Sequence, residues 1–166
     1  MDDVGSLISS EIPDWSREAM SRGSWNPSRA LLKSIRAYQN ASGPLRSVVK
    51  KLAILRHRFW SIVTGADIPL NSSIGGGLLL PHPNGVVIHP DARIGVNCLI
   101  FQQVTIGATE RGVRTIGGHV DIGAGAKLIG PIVVGDHARI GANALVREDV
   151  PAYGIYVAAD GKLLER

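Results

Sequence analysis

An aliphatic residue returns at every sixth position through most of the second half of this sequence. These positions are Ile94, Ile100, Ile106, Ile116, Ile122, Leu128, Val134, Ile140 and Val146. A period of six fits neither the 3.6 residues of an α-helical turn nor the two residues of an ordinary strand, and it indicates a solenoid that adds one short strand per repeat. The repeat extends back to Ile68, so about thirteen positions at three per coil predict roughly four coils.

The strict spacing also selects among β architectures. Sandwiches and barrels place their turn signals about every 8–12 residues, and a right-handed β-helix has longer and less regular coils. We therefore predict a mainly β chain, a left-handed parallel β-helix with a short α-helical N-terminal region, although left-handed crossovers are rare in parallel β structure. Prisms of this kind commonly associate side by side, so we expect a homotrimer.

The chain divides into three segments. We assign residues 1–64 to the helical N-terminal region, 65–152 to the β-helix and 153–166 to a C-terminal tail that leaves the column. Within the first segment, helical spacing of apolar residues predicts one helix from Ser28 to Gln39 and a second from about Leu45 to Val63.

Basic residues are concentrated ahead of the β-helix. Between Met20 and Ala66 the sequence has no Asp or Glu. The basic residues of this block are Arg22, Arg29, Lys33, Arg36, Arg46, Lys50, Lys51, Arg56 and Arg58. Such a block suits a solvated helix face or a face packed on another subunit, and it also suits contact with acidic membrane lipid or with the phosphates of a cofactor. We expect no nucleic acid partner, because the chain has no binding motif and no interleaved aromatic residues.

The sequence carries no signal for export or membrane insertion. No run approaches the ~20 apolar residues needed to span a bilayer, and the first residues lack the basic start and apolar core of a secretory signal. We therefore expect a cytoplasmic protein. Cys98 is the only cysteine, which excludes an internal disulfide and a cysteine-built metal cluster, and we expect it to be a buried wall residue.

Two interruptions of the six-residue spacing are the places where side chains can leave the wall. Pro81 to Val87 holds two extra residues, and Ala108 to Thr115 holds four. In the first interruption His82 lies between two prolines, which stiffen the backbone. An imidazole on a rigid bulge can serve as a general base, because its pKa lies near neutrality. We expect structural or exposed roles for the other histidines, His57, His89, His119 and His137.

Asp67 is the nearest carboxylate ahead of His82. It precedes the histidine by fifteen residues, and one coil of the predicted solenoid takes about eighteen, so the two residues can lie on adjacent coils. A carboxylate in that position would orient the imidazole and stabilise its protonated form. Spacing alone leaves open the alternative of a loop histidine beside an unrelated aspartate.

Four segments around these residues carry a family resemblance. They are Gly65-Ala66-Asp67-Ile68, Leu80-Pro81-His82-Pro83-Asn84-Gly85-Val86-Val87-Ile88, Gln103-Val104-Thr105-Ile106-Gly107 and Ile122-Gly123-Ala124-Gly125-Ala126-Lys127. Together they resemble the serine acetyltransferases of the hexapeptide-repeat superfamily, over roughly residues 45–151. The resemblance implies an acetyl-CoA-dependent O-acetyltransferase in which His82 removes a proton from an acceptor hydroxyl and Asp67 is its partner.

The resemblance also implies where the co-substrate binds. Acetyl-CoA would lie in a groove between neighbouring prisms, so that the sites lie between subunits, and no metal is expected. The residues implied in CoA binding are Gly107, Ala108, Ala124, Lys127 and Ala142. Small residues suit this role because backbone amides can then approach the ligand and the developing oxyanion. Lys127 fits either a CoA phosphate or a solvated corner.

Departures from the family pattern concern the acceptor. Family members that acetylate serine carry an aspartate where this chain has Pro81, and an Arg-His pair where it has Gly112-Val113. Arg111 and Arg114 flank the second place and could still bind an acceptor carboxylate. The hydroxyl of a sugar or polysaccharide precursor is therefore a rival acceptor to serine.

Two alternatives of another class remain. A metal hydratase on the same solenoid would need histidines converging on one metal, and the class pairs two histidines five residues apart, a spacing this sequence lacks. A non-catalytic hexapeptide-repeat scaffold is the other alternative, favoured by the altered acceptor positions and opposed by the retention of Asp67 and His82.

Overall fold

A three-sided parallel solenoid forms the larger part of the molecule. The computed structural model describes residues 8–21, 23–107 and 114–159. Within these ranges three sheets of four strands each build the sides of a prism, and every pair of neighbouring strands is parallel. The predicted parallel β-helix of roughly four coils is thus confirmed.

We number the sides in the order in which the chain visits them. Side 1 contains β1 (Ser73–Ile74), β3 (Arg93–Ile94), β6 (Thr115–Ile116) and β9 (Val133–Val134). Side 2 contains β4 (Leu99–Ile100), β7 (Asp121–Ile122), β10 (Arg139–Ile140) and β12 (Ile155–Tyr156). Side 3 contains β2 (Val87–Ile88), β5 (Thr105–Gly107), β8 (Lys127–Ile129) and β11 (Leu145–Val146).

The six-residue repeat fills the interior of the prism. On side 1 the register aligns Ile74, Ile94, Ile116 and Val134 in one column, and all four are buried. Because strand side chains alternate between faces, the residue before each repeat position points outward while the repeat residue points in. Burying one such aliphatic side chain stabilises the fold by about 1.5–3 kcal/mol. Stacking these columns therefore supplies the core that a single coil could not form alone.

Two helices precede the solenoid. Helix α1 (Pro27–Gln39) begins at Asn26, whose side chain accepts a hydrogen bond from the Arg29 backbone N–H, and helix α2 (Arg46–Thr64) ends at Gly65 in the left-handed conformation. Both predicted helices are confirmed to within about one residue. No helix in the described part of the chain is long and apolar enough to cross a membrane.

Residues 8–18 form an arm that lies along the edge between sides 1 and 2. The sequence predicts only a marginal helix or a loose segment here, yet the arm contains a 3-10 helix (Trp15–Glu18) and is bound to the prism. The buried side chain of Asn97 donates to the carbonyls of Ser9 and Ile12 and accepts from the N–H of Asp14, at 2.7–2.8 Å. Asn97 itself has a φ of 59°, a conformation that asparagine tolerates better than most residues.

The end of the arm is held by charged groups. The Glu18 carboxylate accepts from the backbone N–H groups of Gly77 and Leu78 and pairs with Arg36 of α1 at 2.8 Å. Arg17 donates to the carbonyls of Gly77 and Asn97. These contacts join the arm, α1 and the first two coils into one packed unit.

The C-terminal tail differs from the prediction. We expected residues 153–166 to leave the column, but β12 pairs with β10, so that Arg139 lies opposite Ile155. The residues around β12 lie outside the strict repeat, but their backbone still extends side 2. The backbone N–H groups of Arg139 and Gly141 donate to the carbonyls of Gly154 and Tyr156. The solenoid therefore continues at least to residue 156.

Cys98 lies inside the wall, as predicted, and it should be chemically inert. Its side chain is fully buried, and burial raises the pKa of its thiol to about 12. Since the thiolate is the reactive form, we expect no labelling by iodoacetamide at pH 8 in the folded protein and full labelling in denaturant. Rapid labelling of the folded protein, followed by mass spectrometry, would contradict this placement.

Candidate functional site

His82 lies on a short turn at the edge between sides 2 and 3. The turn is closed by a hydrogen bond from the Val86 N–H to the Pro83 carbonyl at 3.1 Å, and Gly85 follows with a φ of 69°. The two extra residues thus lift the imidazole off the wall, and the side chain is exposed to solvent. We call this corner of the prism the His82 edge.

Asp67 lies on the coil next to this turn. Its N–H donates to the Val86 carbonyl at 2.8 Å, and its own carbonyl accepts from Ile88 at 2.9 Å, so Asp67 pairs with Val87. The expected placement on adjacent coils is present. No hydrogen bond or ion pair joins the Asp67 carboxylate to the His82 ring among the contacts of the described residues. Their joint catalytic role stays a prediction, since such bonds often tighten only when substrate is bound.

Gly65 holds the two segments close together. Its carbonyl accepts from the Gly85 N–H at 2.9 Å, and a Cβ atom at Gly65 would lie 2.7 Å from the Asn84 side chain. A side chain at this position would displace the Asn84 side chain, and it would also be strained by the φ of 65° at Gly65. The glycine after α2 therefore both ends the helix and leaves room for Asn84.

A polar chain that the sequence did not reveal runs along the His82 edge. The Gln103 side chain donates to the Asn84 side-chain oxygen at 3.0 Å, and Lys127 donates to the Gln103 backbone carbonyl. Gln103 adopts a φ of 59° at its corner. In the sequence, these three residues lie near corners of successive coils. That relation becomes visible only once the register between the coils is known, so the hydrogen bonds could not be predicted from the sequence alone.

Most of the predicted CoA-binding residues share this edge. Ala124 and Ala142 lie on successive coils, where the Ala124 carbonyl accepts from Asn143 at 2.8 Å. Lys127 begins β8 and contacts the edge through Gln103, whereas Gly107 lies at the far end of β5 opposite Ile129. Ala108 lies outside the described residues. Their roles in binding CoA stay predictions.

Of the two arginines predicted to bind an acceptor carboxylate, the structure describes Arg114, which does not join His82. Arg111 lies outside the described residues. Arg114 is fully buried in side 1, at the inward position that Ala92 and Ile132 occupy on neighbouring coils. Burial lowers the pKa of its guanidinium, whose nitrogens have no hydrogen-bond partner among the described residues.

A cavity of about 480 Å³ opens beside His82. Its walls come from the turn, from the end of α2 and from the segment ahead of α1. The lining residues are Trp25, Asn26, Pro27, Ser28, Val63, Thr64, Pro81, His82, Pro83 and Asn84. The described residues of this lining include no Asp, Glu, Lys or Arg, so His82 is the one ionisable group among them. They therefore offer an aromatic and polar surface without a fixed charge.

A second group of ring side chains lies on the edge between sides 1 and 2. The Nδ1 atoms of His119 and His137 are 2.8 Å apart, and Tyr153 stacks on His137 with ring centroids 4.7 Å apart. All three occupy corners with positive φ. The described residues contain no group of three or more His, Cys, Asp or Glu that could hold a metal ion.

The histidine pair should make stability depend on pH. Burial lowers the pKa of His119, assisted by His137, while Asp121 acts in the opposite direction. The unfolded chain takes up a proton near the ordinary histidine pKa of about 6.5, and the folded chain does so only at lower pH. The contribution of neutral His119 to the free energy of unfolding is therefore present above about pH 6.5, and it is lost as the pH falls toward the lowered pKa of the folded state.

We expect His119→Asn to flatten this pH dependence. Asparagine suits the positive φ at this corner, as Asn97 does one coil earlier. The measurement is the melting temperature between pH 7.5 and pH 5, which should fall less in the variant than in the unaltered protein. His89→Asn is the control. If both variants flatten the pH dependence of the melting temperature equally, that dependence does not come from His119.

The comparisons with known proteins agree with this geometry. No model of a known protein family matches the chain. The serine acetyltransferase of Mycobacterium tuberculosis is 40% identical over 117 residues, which cover 68% of this chain and 51% of the relative. The serine acetyltransferase of Helicobacter pylori strain J99 is 43% identical over 108 residues, or 63% of each chain. The chain thus spans between half and two thirds of the length of these relatives.

Solved structures extend the likeness to the fold. Soybean serine acetyltransferase complexed with serine superimposes with a TM-score of 0.67 at 32% identity, over 83% of this chain and 57% of the other. A serine acetyltransferase in complex with CoA gives a TM-score of 0.68 at 29% identity, over 84% and 57%.

The parallel solenoid and the His82 edge together define the class of this protein. It is a hexapeptide-repeat β-helix protein with a histidine on a bulge of its wall. The sequence likeness narrows the class further. Over 63–68% of its length this chain is 40–43% identical to these serine acetyltransferases, and it shares the fold of a solved one.

Proposed function

We propose that this protein is an acetyl-CoA-dependent O-acetyltransferase in which His82 is the general base and Asp67 orients it. The observation that carries the proposal is the shared edge. His82 and Asp67 lie on adjacent coils of the edge to which Ala124 and Ala142 belong. The solved relative that holds CoA supports the choice of acyl donor.

The chemistry requires one proton to move twice. The His82 imidazole accepts the proton of the acceptor hydroxyl as its oxygen attacks the carbonyl carbon of the thioester. The tetrahedral intermediate collapses by breaking the carbon–sulfur bond, and the imidazolium returns the proton to the leaving thiolate. The products are an acetyl ester and free CoA. Asp67 would stabilise the imidazolium between the two transfers.

Backbone amides along the edge are suited to the developing oxyanion. Ala124 has no side chain beyond Cβ, so a ligand can approach the main chain closely there, and Gly107 offers the same access at the far end of β5. Lys127 can neutralise a CoA phosphate if it releases its present contact with Gln103. We propose that the groove for CoA is completed by a neighbouring prism in a homotrimer.

Two acceptors are supported by different observations. Serine is supported by the relatives, one of which was solved with serine bound. The hydroxyl of a sugar or polysaccharide precursor is supported by the cavity, because the described residues of its lining offer no carboxylate for a serine ammonium and no cation for a serine carboxylate. The exposed ring of Trp25 gives a sugar a surface to stack on.

The test is the release of free CoA thiol from acetyl-CoA in the presence of single acceptors. Serine is compared with its methyl ester and its N-acetyl derivative, and with nucleotide sugars and oligosaccharides. Thiol release that requires the free amino acid supports serine as the acceptor, and thiol release with glycans alone supports a sugar hydroxyl. Absence of turnover with every acceptor, in protein that still binds CoA, would favour the non-catalytic scaffold and overturn the proposal.

A further inference from the structure

Helix α2 turns its more apolar side away from the molecule. Its opposite side packs on α1 and the prism, where Ala53 and Thr64 are buried and Lys50 lies over the ring of Tyr38 at 4.5 Å. The exposed apolar residues are Leu45, Val48, Val49, Leu52, Leu55, Phe59, Ile62 and Val63. We call this set the α2 apolar face. Six of its members expose between 53% and 83% of their surface.

The α2 apolar face is one continuous strip. At 3.6 residues per turn its members fall within an arc of about 140°. Isolated exposed apolar residues are common on proteins, but a contiguous strip rimmed by polar residues marks a surface that binds something. The strip also reaches the candidate site, because Val63 belongs to it and lines the cavity beside His82.

Positive charge accompanies the α2 apolar face. Lys51 and Arg58 lie just outside one border of the strip, and Arg56 lies within the strip near its other border. No acidic residue occurs in the sequence between Glu18 and Asp67. A partner must therefore be apolar in the middle and must carry negative charge opposite these basic residues.

Aromatic rings occupy the end of the face nearest the cavity. Phe59 packs edge-on against Trp60 with centroids 4.9 Å apart, and Trp60 packs against Trp25 at 5.4 Å. Trp25 is largely exposed. Tryptophan rings at the border of an apolar surface are characteristic of segments at the headgroup level of a bilayer.

We propose that the α2 apolar face docks on an anionic lipid surface. The helix has the composition of an interfacial helix, with Leu and Phe on one side and Lys and Arg beside them. A second copy of the chain would bring Lys51, Arg56 and Arg58 against the same charges, which disfavours self-pairing. An anionic bilayer supplies apolar depth and negative headgroups at once, whereas a partner helix would need acidic residues placed opposite Lys51, Arg56 and Arg58.

Docking would place the mouth of the His82 cavity at the lipid headgroups. This inference does not depend on acetyl transfer, because binding to lipid can be measured without any substrate. Failure of the proposed function and failure of the docking surface are therefore distinguishable.

The experiment is co-sedimentation of the full chain with vesicles. Phosphatidylcholine vesicles are compared with vesicles that also contain phosphatidylglycerol. We expect binding to the anionic vesicles only, weakened by salt. Lys51→Gln with Arg58→Gln should lower affinity about 25-fold, because each basic residue at an anionic surface contributes about fivefold. Leu52→Gln with Phe59→Gln should lower it at least as much.

Leu145→Gln is the matched control. Leu145 is exposed to 53%, close to the 56% of Leu52, but it lies in β11 on side 3. This variant should bind vesicles as the unaltered protein does. Thermal melts check that every variant folds.

Three outcomes would overturn the proposal. The first is binding that ignores lipid charge, and the second is binding that Leu145→Gln reduces as strongly as the α2 pair does. The third is absence of vesicle binding. In that case light scattering measures the mass of the assembly in solution. If Leu52→Gln with Phe59→Gln lowers that mass, the α2 apolar face is an interface between copies of the chain. If the mass is unchanged, the face binds an acidic protein partner.

Discussion

His82→Ala should reduce kcat for acetyl transfer by about 10²–10⁴-fold, the usual contribution of a positioned general base. His82 is exposed on its turn and is the one ionisable residue among the described residues that line the adjacent cavity, so its removal takes away the base without opening the core. The rate is measured as CoA thiol release with the acceptor that the screen identifies. KM for acetyl-CoA should change little, since the imidazole acts on the acceptor proton.

His89→Ala is the control for this variant. His89 lies just after β2 on the same coil, partly exposed, with its Nδ1 atom 3.8 Å from Asp91. It should leave kcat within twofold of the unaltered protein. Asp67→Asn is a second test of the mechanism, because loss of the orienting carboxylate should lower kcat and shift the pH profile of kcat. A fully active His82→Ala protein would overturn the mechanism.

Asn97→Gly should cost about 2–3 kcal/mol of the free energy of unfolding, because it removes three hydrogen bonds from a buried amide at about 1 kcal/mol each. Those bonds hold the arm on the prism. Glycine keeps the positive φ of this corner, so the loss reports the side chain alone. Asn97→Ala should cost about 1 kcal/mol more, because alanine resists that backbone conformation.

Urea unfolding measures these differences, and limited proteolysis tests their cause. Cleavage within residues 8–18 should accelerate in both Asn97 variants. Asn143→Gly is the matched control, since Asn143 has a φ of 58° on an exposed corner, and its effect should stay within about 0.5 kcal/mol. Equal losses at the two corners would show that the arm contributes nothing through Asn97.

The period of six was enough to predict the sides of the prism, because burial on a solenoid follows directly from spacing. Both helices were predictable from the helical spacing of apolar residues ahead of it. The bulge that carries His82 was predictable for the same reason, since two extra residues cannot fit in a regular wall. The adjacency of Asp67 followed from coil length. The roles of both residues in catalysis remain predictions that the kinetics above address.

Other features depend on contacts that spacing does not encode. The arm has no apolar period, and its place is fixed by single polar groups such as Asn97 and Glu18. The tail carries no repeat, yet β12 is held by backbone hydrogen bonds that any sequence can make. The apolar stripe of α2 was visible in the sequence, but the pattern alone cannot say that α1 packs on the other side.

The attachment of the arm has a consequence for how the chain folds during synthesis. The partners Asp14 and Asn97 are 83 residues apart, and ribosomes add about 5–20 residues per second. The arm therefore leaves the ribosome roughly 4–17 s before its docking residue exists. During that interval Glu18 can bind Gly77 and Leu78 once they have been made, but Asp14 must wait for Asn97, so translation itself delays closure of the first edge. A chain refolding from denaturant meets no such delay, which makes the order of assembly on the ribosome different from the order in the test tube.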